Sequence, residues 1–410
     1  MAEAAAQLQK GLDQLALLPD TPEHQRQELE LRSSQGAVFV AIKGTAAPET
    51  GRAYARAHEL WEQLGYPSGF LQIPYGQSAN HILRGDFALA QRLAEGLLRV
   101  SRQRDDTAGL VLGHYSAGRN LMFTGKFAAA RWHLEKALAF YETRPHSSLV
   151  FEVAFPPHVS SQGVLGFVLF CLGYPDQASA QSSAAIAGSR RLAHLPSLVA
   201  GLQFDAMRLS LVGDDAAVSG LADELFAVAT EQGFPSWGAH GKVFRGWVKV
   251  KEGEVAEGRS LLRAGSTAHR ASGMGVAWTP HPFALLAEAC EIAGEIEEGL
   301  AWLGSALQVS ETSGLFWLAA ELNRRKGRLL LRQGNNDAAE ELYRKALCIA
   351  REQEAKMWEL RAAVSLARLW CEEGRCAQAR DLLAPVYGWF TEGFDTPDLK
   401  EAKALLAELA

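Results

Sequence analysis

The sequence lacks any apolar run long enough to cross a bilayer, and its first residues, Met1 to Leu17, hold no basic segment followed by an apolar one. A membrane span needs about 20 consecutive apolar residues and a secretory leader needs that basic-then-apolar order, so a cytoplasmic protein that does not contact membrane is expected. Cysteine is scarce. Its five positions (Cys171, Cys290, Cys348, Cys371 and Cys376) are an odd number on helical stretches, without the close paired spacing of a zinc or redox motif. Buried free thiols in a reducing compartment are the expectation. Charge is not in excess either: a net charge of -6 gives no general attraction to nucleic acid or membrane.

Signatures of catalysis are missing as well. The eleven histidines include no i, i+4 pair flanking a glutamate, and no serine lies in a Gly-x-Ser-x-Gly turn, so neither a zinc hydrolase nor a serine hydrolase is indicated. Two segments imitate a phosphate-binding loop, Gly113 to Asn120 and Gly253 to Ser260. Each carries arginine, Arg119 or Arg259, where that loop needs lysine, and neither follows a strand. These absences exclude the common enzyme classes and call for no metal and no cofactor.

What the chain does have is a period. Nine glycines (Gly44, Gly85, Gly125, Gly173, Gly213, Gly253, Gly294, Gly334 and Gly374) recur at intervals of 41, 40, 48, 40, 40, 41, 40 and 40 residues. Seven residues before most of them stands a small residue (Ser78, Gly118, Gly166, Ala206, Gly246, Ala287, Gly327, Ala367), and five after several stands Ala90, Ala130, Ala178, Ala339 or Ala379, with Gly258 and Gly299 in two further units. This reads as helix, tight turn, helix. The small residues are where paired helices touch, and Tyr343 with Leu347 fills the space between pairs in the clearest unit, Ala320 to Ala350. That unit resembles a tetratricopeptide repeat, whose simplest form is about 34 residues, so roughly six more residues per unit imply longer helices or connections.

A single amphipathic pair cannot bury its apolar face alone, and the implied fold is all-α: a right-handed superhelical solenoid of tetratricopeptide-like pairs, about 40 residues each. Length alone would suggest two or three domains in 410 residues, but a solenoid grows by adding units. The array is expected over residues 1–393, with a capping helix over 394–410 after the strong helix start Asp395-Thr396-Pro397. Two helices for each turn, an orphan helix at Ala4 to Leu18 and the cap make about twenty helices. The orphan matches the second helix of a unit whose first helix is missing, so either the chain is a truncated or split piece of a longer one, or something else covers that face. The run Ala37-Val38-Phe39-Val40-Ala41 has strand propensity, yet the period assigns it to a helix. One interval is long, and its extra residues fall between Glu142 and Ser160; they form either a plain surface connection or a loop folded onto the groove.

The carboxyl-terminal run from Ala377 to Leu399, containing Tyr387-Gly388-Trp389-Phe390-Thr391-Glu392-Gly393-Phe394, resembles the end of large bacterial signalling proteins that join a class III adenylate or guanylate cyclase, an AAA-type ATPase and a long tetratricopeptide array. Leu172 to Ala178 and Ala229 to Pro235 resemble the same array. The resemblance implies a non-catalytic interaction or scaffold module from such a signal-transduction protein, or a small-molecule-sensing module acting on a separately encoded cyclase or ATPase. The catalytic residues of those domains have no counterparts here.

Binding then falls to the concave groove. Counting around the leading helices places Tyr75, Tyr115, Arg119, Phe167, Gln203, Trp247, Glu288, Arg324, Arg328, Arg361 and Arg368 toward it. The aromatics are either core fillers or groove contacts. The arginines are either a solvated face or an anion seat for an acidic protein or peptide segment, and Glu321 and Glu288 are candidate internal partners for them.

Overall fold

The helices follow from punctuation the sequence supplies at both ends. In the computed structural model, which describes residues 2–143, 156–273 and 275–409, the helices Pro22–Lys43, Pro48–Gln63, Pro157–Leu172, Pro175–Arg191, Pro235–Lys251, Pro280–Ile292 and Pro397–Glu408 all open on proline, whose fixed φ and missing N–H suit a first turn. Elsewhere a side chain caps the start: Asp106, Asp214 and Asn335 accept from the backbone N–H three residues on. At the other end, all nine periodic glycines have φ between 76° and 95°. That region is costly for any residue with a Cβ, so the turn requires glycine.

Twenty helices result among the described residues, and no strand. Eighteen of them form the nine expected pairs: Pro22–Lys43 with Pro48–Gln63, Gln72–Arg84 with Phe87–Gln103, Thr107–Phe123 with Phe127–Thr143, Pro157–Leu172 with Pro175–Arg191, Leu195–Val212 with Asp215–Glu231, Pro235–Lys251 with Val255–Ala271, Pro280–Ile292 with Ile296–Ser313, Ala319–Arg332 with Asn336–Glu352, and Lys356–Glu372 with Cys376–Tyr387. Ala2–Leu15 precedes them and Pro397–Glu408 follows. The Ala37 to Ala41 run is helical, as the period required. Of the long connection, residues 144–155 lie outside the described residues.

Within each pair the small residues meet as the spacing implied. A Cβ on Gly246 would stand 2.7 Å from the carbonyl oxygen of Gly258, and one on Gly166 would stand 3.0 Å from that of Ala178. Ser78 turns the same approach into a hydrogen bond, its hydroxyl donating to the Ala90 carbonyl at 3.4 Å. Tyr343 fills the gap behind Gly327 and is 2 % exposed.

The coil then closes on itself, which the repeat pattern did not show. The ends of early leading helices meet the loops before later ones through backbone hydrogen bonds: Ala46 N–H to Gly273 at 3.0 Å, Val276 N–H to Leu83 at 2.8 Å, and Phe316 N–H to Phe123 at 3.0 Å. Trp278, Trp317 and Trp358 line this seam, edge-on to Phe123, Phe167 and Phe170 with ring centroids 4.9 to 5.6 Å apart. The Tyr387 to Phe394 run completes it. Glu392 accepts from Asp176 and Gln177 N–H at 3.0 and 3.1 Å, and Trp389 packs against Tyr174. Two stretches singled out for the same family resemblance thus fold onto each other.

The cysteines correct one expectation. Cys171 and Cys290 are buried thiols, but Cys348 is exposed, and Cys371 and Cys376 are half-buried with their sulfurs 3.1 Å apart. They flank the Gly374 turn, whose left-handed geometry folds the second helix back beside the first. Among the described residues, no helix is long and apolar enough to cross a membrane.

Two measurements check this account. Gly246→Ala is expected to destabilise by about 1–3 kcal/mol although alanine favours helix, because backbone must move. Gly220→Ala, in a helix with nothing within 4 Å of the added Cβ, is expected to stabilise by about 0.5–1 kcal/mol; urea midpoints would show the opposite signs. Trp317→Ala removes a side chain that is 0 % exposed and is expected to cost about 3–5 kcal/mol. Its small-angle scattering should show a larger radius of gyration. An unchanged radius would show that the seam only fills space.

Candidate ligand cavity inside the coil

Closure leaves a cavity of about 330 Å³ in the groove, walled by side chains from the leading helices of the first six pairs together with Tyr54 and Trp278. Its size is at the lower end of the ~300–1,000 Å³ range of small-molecule sites. Small residues at Gly76, Ala79, Gly163, Ala200 and Gly201 make the room, and Phe204, Trp237 and Trp278 supply flat apolar wall. Tyr54 is seated by two close approaches. A Cβ at Gly36 would be 2.7 Å from its ring and one at Gly76 would be 2.5 Å away, so both positions need glycine for the ring to lie there.

The polar part holds three tyrosines and one arginine beside Thr45, Gln72, Ser160, Ser197 and Gln203. Burial pushes the Tyr54 phenol up to about 12 and raises that of Tyr75 further, aided by neighbouring Tyr115. Both therefore remain protonated donors at neutral pH. The Tyr75 and Tyr115 ring centroids are 6.2 Å apart, and the Arg119 guanidinium lies 5.3 Å from the Tyr115 centroid. Among the described residues lining the cavity, Arg119 is the one that is charged. Its Nε and Nη2 are buried and have no hydrogen-bond partner.

Gln203 connects the cavity to a histidine cluster. His240 Nδ1–H donates to the Ser236 carbonyl at 3.2 Å, leaving Nε2 to face the Gln203 amide at 3.4 Å. Such a ring is neutral. Burial holds His240 down to about 4 and, with His240 and Arg270 beside it, lowers His269 well below the ordinary value; the two ring centroids are 4.4 Å apart. His281 is lowered to about 3 by burial, with Arg325 and His240 adding to it.

Of the groove residues expected from sequence, Tyr75, Tyr115, Arg119 and Gln203 are brought together in this cavity. Phe167 and Trp247 lie in the core, 0 % and 1 % exposed. The later residues form a separate ionic network. Glu321, 1 % exposed, pairs with Arg324 at 2.7 Å and Arg325 at 2.8 Å. Burial acts to raise its carboxyl, but Arg324, Arg325 and Arg361 hold it well below the usual range. Glu288 pairs with Arg325 at 2.7 Å, Arg328 pairs with Glu291, Arg361 with Asp398 at 2.7 Å, and Arg368 with Glu401 at 3.1 Å. Two of these carboxylates come from the capping helix, a source the repeat spacing did not indicate.

Sequence reasoning missed Tyr54, Phe204, Trp237 and Trp278. A signal existed for two of them: Trp237, Trp278, Trp317 and Trp358 recur at 41, 39 and 41 residues. Elsewhere, Cys290, Glu295 and Glu298 are near enough to share a metal ion. However, Arg259 and Arg263 already pair with both carboxylates, and burial pushes the thiol up to about 11.

No protein-family model matches the chain. An uncharacterized protein of Rhizobium meliloti (strain 1021) is 24 % identical over 382 residues, which is 92 % of this chain and 36 % of that protein. The chain therefore spans about a third of the relative's length. A Rap protein complexed with Competence and Sporulation Factor is similar in structure at a TM-score of 0.57 and 12 % identity, covering 81 % of this chain and 99 % of that one. The Rap conjugation gene regulator of plasmid pLS20, in complex with the Phr* peptide, gives a TM-score of 0.52 at 10 % identity, covering 93 % of this chain and 95 % of that one. The likeness is one of fold. It identifies a tetratricopeptide-like, all-helical solenoid.

The histidines set a pH dependence. Between their ordinary value of 6.5 and the lowered folded values, the unfolded chain binds protons that the folded chain does not, so stability falls as pH falls through that window. The melting temperature is expected to drop from pH 7 to pH 5, and His240→Gln should flatten that slope. An equal slope in the variant would remove His240 from the account.

Proposed function

We propose that this chain is a non-catalytic binding module that holds a ligand in the cavity and presents the resulting shape of the coil to a protein partner. The observation that carries the reading is Arg119: a cation in an apolar enclosure, with two buried nitrogens lacking any partner, while the arginines of the later half are answered by carboxylates. Leaving such a group unpaired is costly, so it is explained by an occupant better than by the fold. Turnover would need an activated nucleophile beside that occupant; the described lining holds hydroxyls but no histidine or carboxylate, and the one hydroxyl with a histidine partner, Ser197, belongs to the helix start that His194 caps. The complexes of the two Rap proteins with a factor and a peptide agree with a binding role for a coil of this kind.

Occupancy has a mechanical route outward. Trp278 walls the cavity and also packs against Phe123 in the seam at 4.9 Å, and Val276 beside it donates to Leu83 across the seam. A ligand touching Trp278 and the early helices together favours the closed coil over an opened one. The cyclase and ATPase setting implied by the sequence resemblance belongs to this proposal as the partner. In keeping with it, the Rhizobium relative extends far beyond the matched region. Under the same reading, Glu288, Arg324, Arg328, Arg361 and Arg368 hold the later half together and do not seat an acidic segment, whereas Phe167 and Trp247 serve as core.

The test is a thermal-shift screen of small molecules and short peptides against the parent and Ala200→Trp, which fills the cavity from one wall. A ligand present at about 100 times its Kd adds about 2.7 kcal/mol. That gain should be absent from the filled variant, and from Gly163→Leu if Ala200→Trp does not fold. A gain of equal size in a folded, filled variant would place binding elsewhere.

A further inference from the structure

We infer that the cavity's ligand is a small monoanionic carboxylate on an apolar, ring-sized body, with Arg119 as its counter-ion and the hydroxyls of Tyr54, Tyr75 and Tyr115 as donors. The inference rests on the cavity reading above and adds the ligand's chemistry to it.

Charge decides the anion. Among the described residues, Arg119 is the single charged residue in the lining, so one negative charge is matched there, while a dianionic phosphate would leave one charge without an answer. A planar guanidinium also suits the two oxygens of a carboxylate, which can accept two parallel N–H donors. Arg119 is held in place for this. Its guanidinium sits 5.3 Å from the Tyr115 ring centroid, an attraction that orients it without using its hydrogen-bond donors.

The donors around it are available. Among the described residues, the hydroxyls of Tyr54, Tyr75 and Tyr115 make no hydrogen bond, and the first two rings are each 5 % exposed. Burial keeps the Tyr54 and Tyr75 phenols protonated far above neutral pH, so they donate to an anion and do not repel it. The body of the ligand faces Phe204 and the indole of Trp278, flat surfaces on which an aromatic or compact aliphatic group packs by offset or edge contacts. A volume of about 330 Å³ suits a one- or two-ring acid and is at the lower limit of such sites.

The experiment uses the full chain and isothermal titration with 4-phenylbutyrate and 1-naphthaleneacetate, each beside its primary amide, and with apolar N-acetyl tripeptides bearing a free carboxyl end. The acids are expected to bind, and the amides to bind about tenfold or more weakly, as a charge-assisted pair is lost. Arg119→Met should lower acid affinity by a similar factor and erase the acid-to-amide difference, while its circular dichroism and melting in the absence of ligand match the parent. Arg119→Lys should restore part of that difference, which a merely structural role would not do. Amides binding as tightly as acids, with both lost in Ala200→Trp, would overturn the carboxylate seat and leave the cavity reading standing. Tripeptides binding where the small acids do not would overturn the small-molecule occupant. Failure of acids, amides and tripeptides alike would overturn this inference. The cavity reading would then rest on the screen against the filled variants.

Discussion

The close crossing of paired helices at small residues is the constraint on which the rest of the structure depends. Where Gly246 meets Gly258 and Gly166 meets Ala178, backbone lies against backbone with no room for a larger side chain. That contact fixes the separation and tilt of each pair, and a repeated tilt becomes a curvature. Because the crossing recurs at an almost constant interval, the curvature accumulates until early turns meet late ones. The seam of Trp278, Trp317 and Trp358 against Phe123, Phe167 and Phe170 follows from that meeting, and the cavity is the space left on its inner side.

Ion pairs occur along the whole coil, Arg56 with Glu28 and Arg190 with Glu224 in the early half among them, but the cavity lining and the later leading helices treat charge differently. In the later half, arginines on neighbouring leading helices would repel one another, and Glu321, Glu288, Glu291, Asp398 and Glu401 stand between or beside them. A buried carboxylate such as Glu321 survives ionised because several guanidinium groups surround it. The early half keeps one cation in an apolar lining and supplies no carboxylate to it.

Polar groups near the cavity are neutral for a physical reason. His240 is held between a carbonyl that needs a donor and an amide that can supply one, and its surroundings cannot solvate a second proton. Burial likewise raises the phenols of Tyr54 and Tyr75 above their ordinary value. The enclosure thus tolerates one permanent charge and excludes others, which narrows what can enter more than its shape does.

The sequence by itself determined the units. Turn glycines, paired small residues and helix-opening prolines are local requirements of backbone conformation and close approach, so the helix pairs, their number and Tyr343 as filler could be read directly. The last helix could be read too, since Thr396-Pro397 is a local start signal. Tertiary structure alone decided how the units coil. The angle between pairs depends on side-chain shapes summed over many contacts, and small differences per unit add up to closure or to an open ribbon. Helical counting could place Tyr75, Tyr115, Arg119 and Gln203 on the inner face because that is a property of one helix. It could not show that Phe167 and Trp247 become core, that Tyr54 and Trp278 join the cavity, or that Arg361 and Arg368 find Asp398 and Glu401, because each depends on which distant turn arrives opposite.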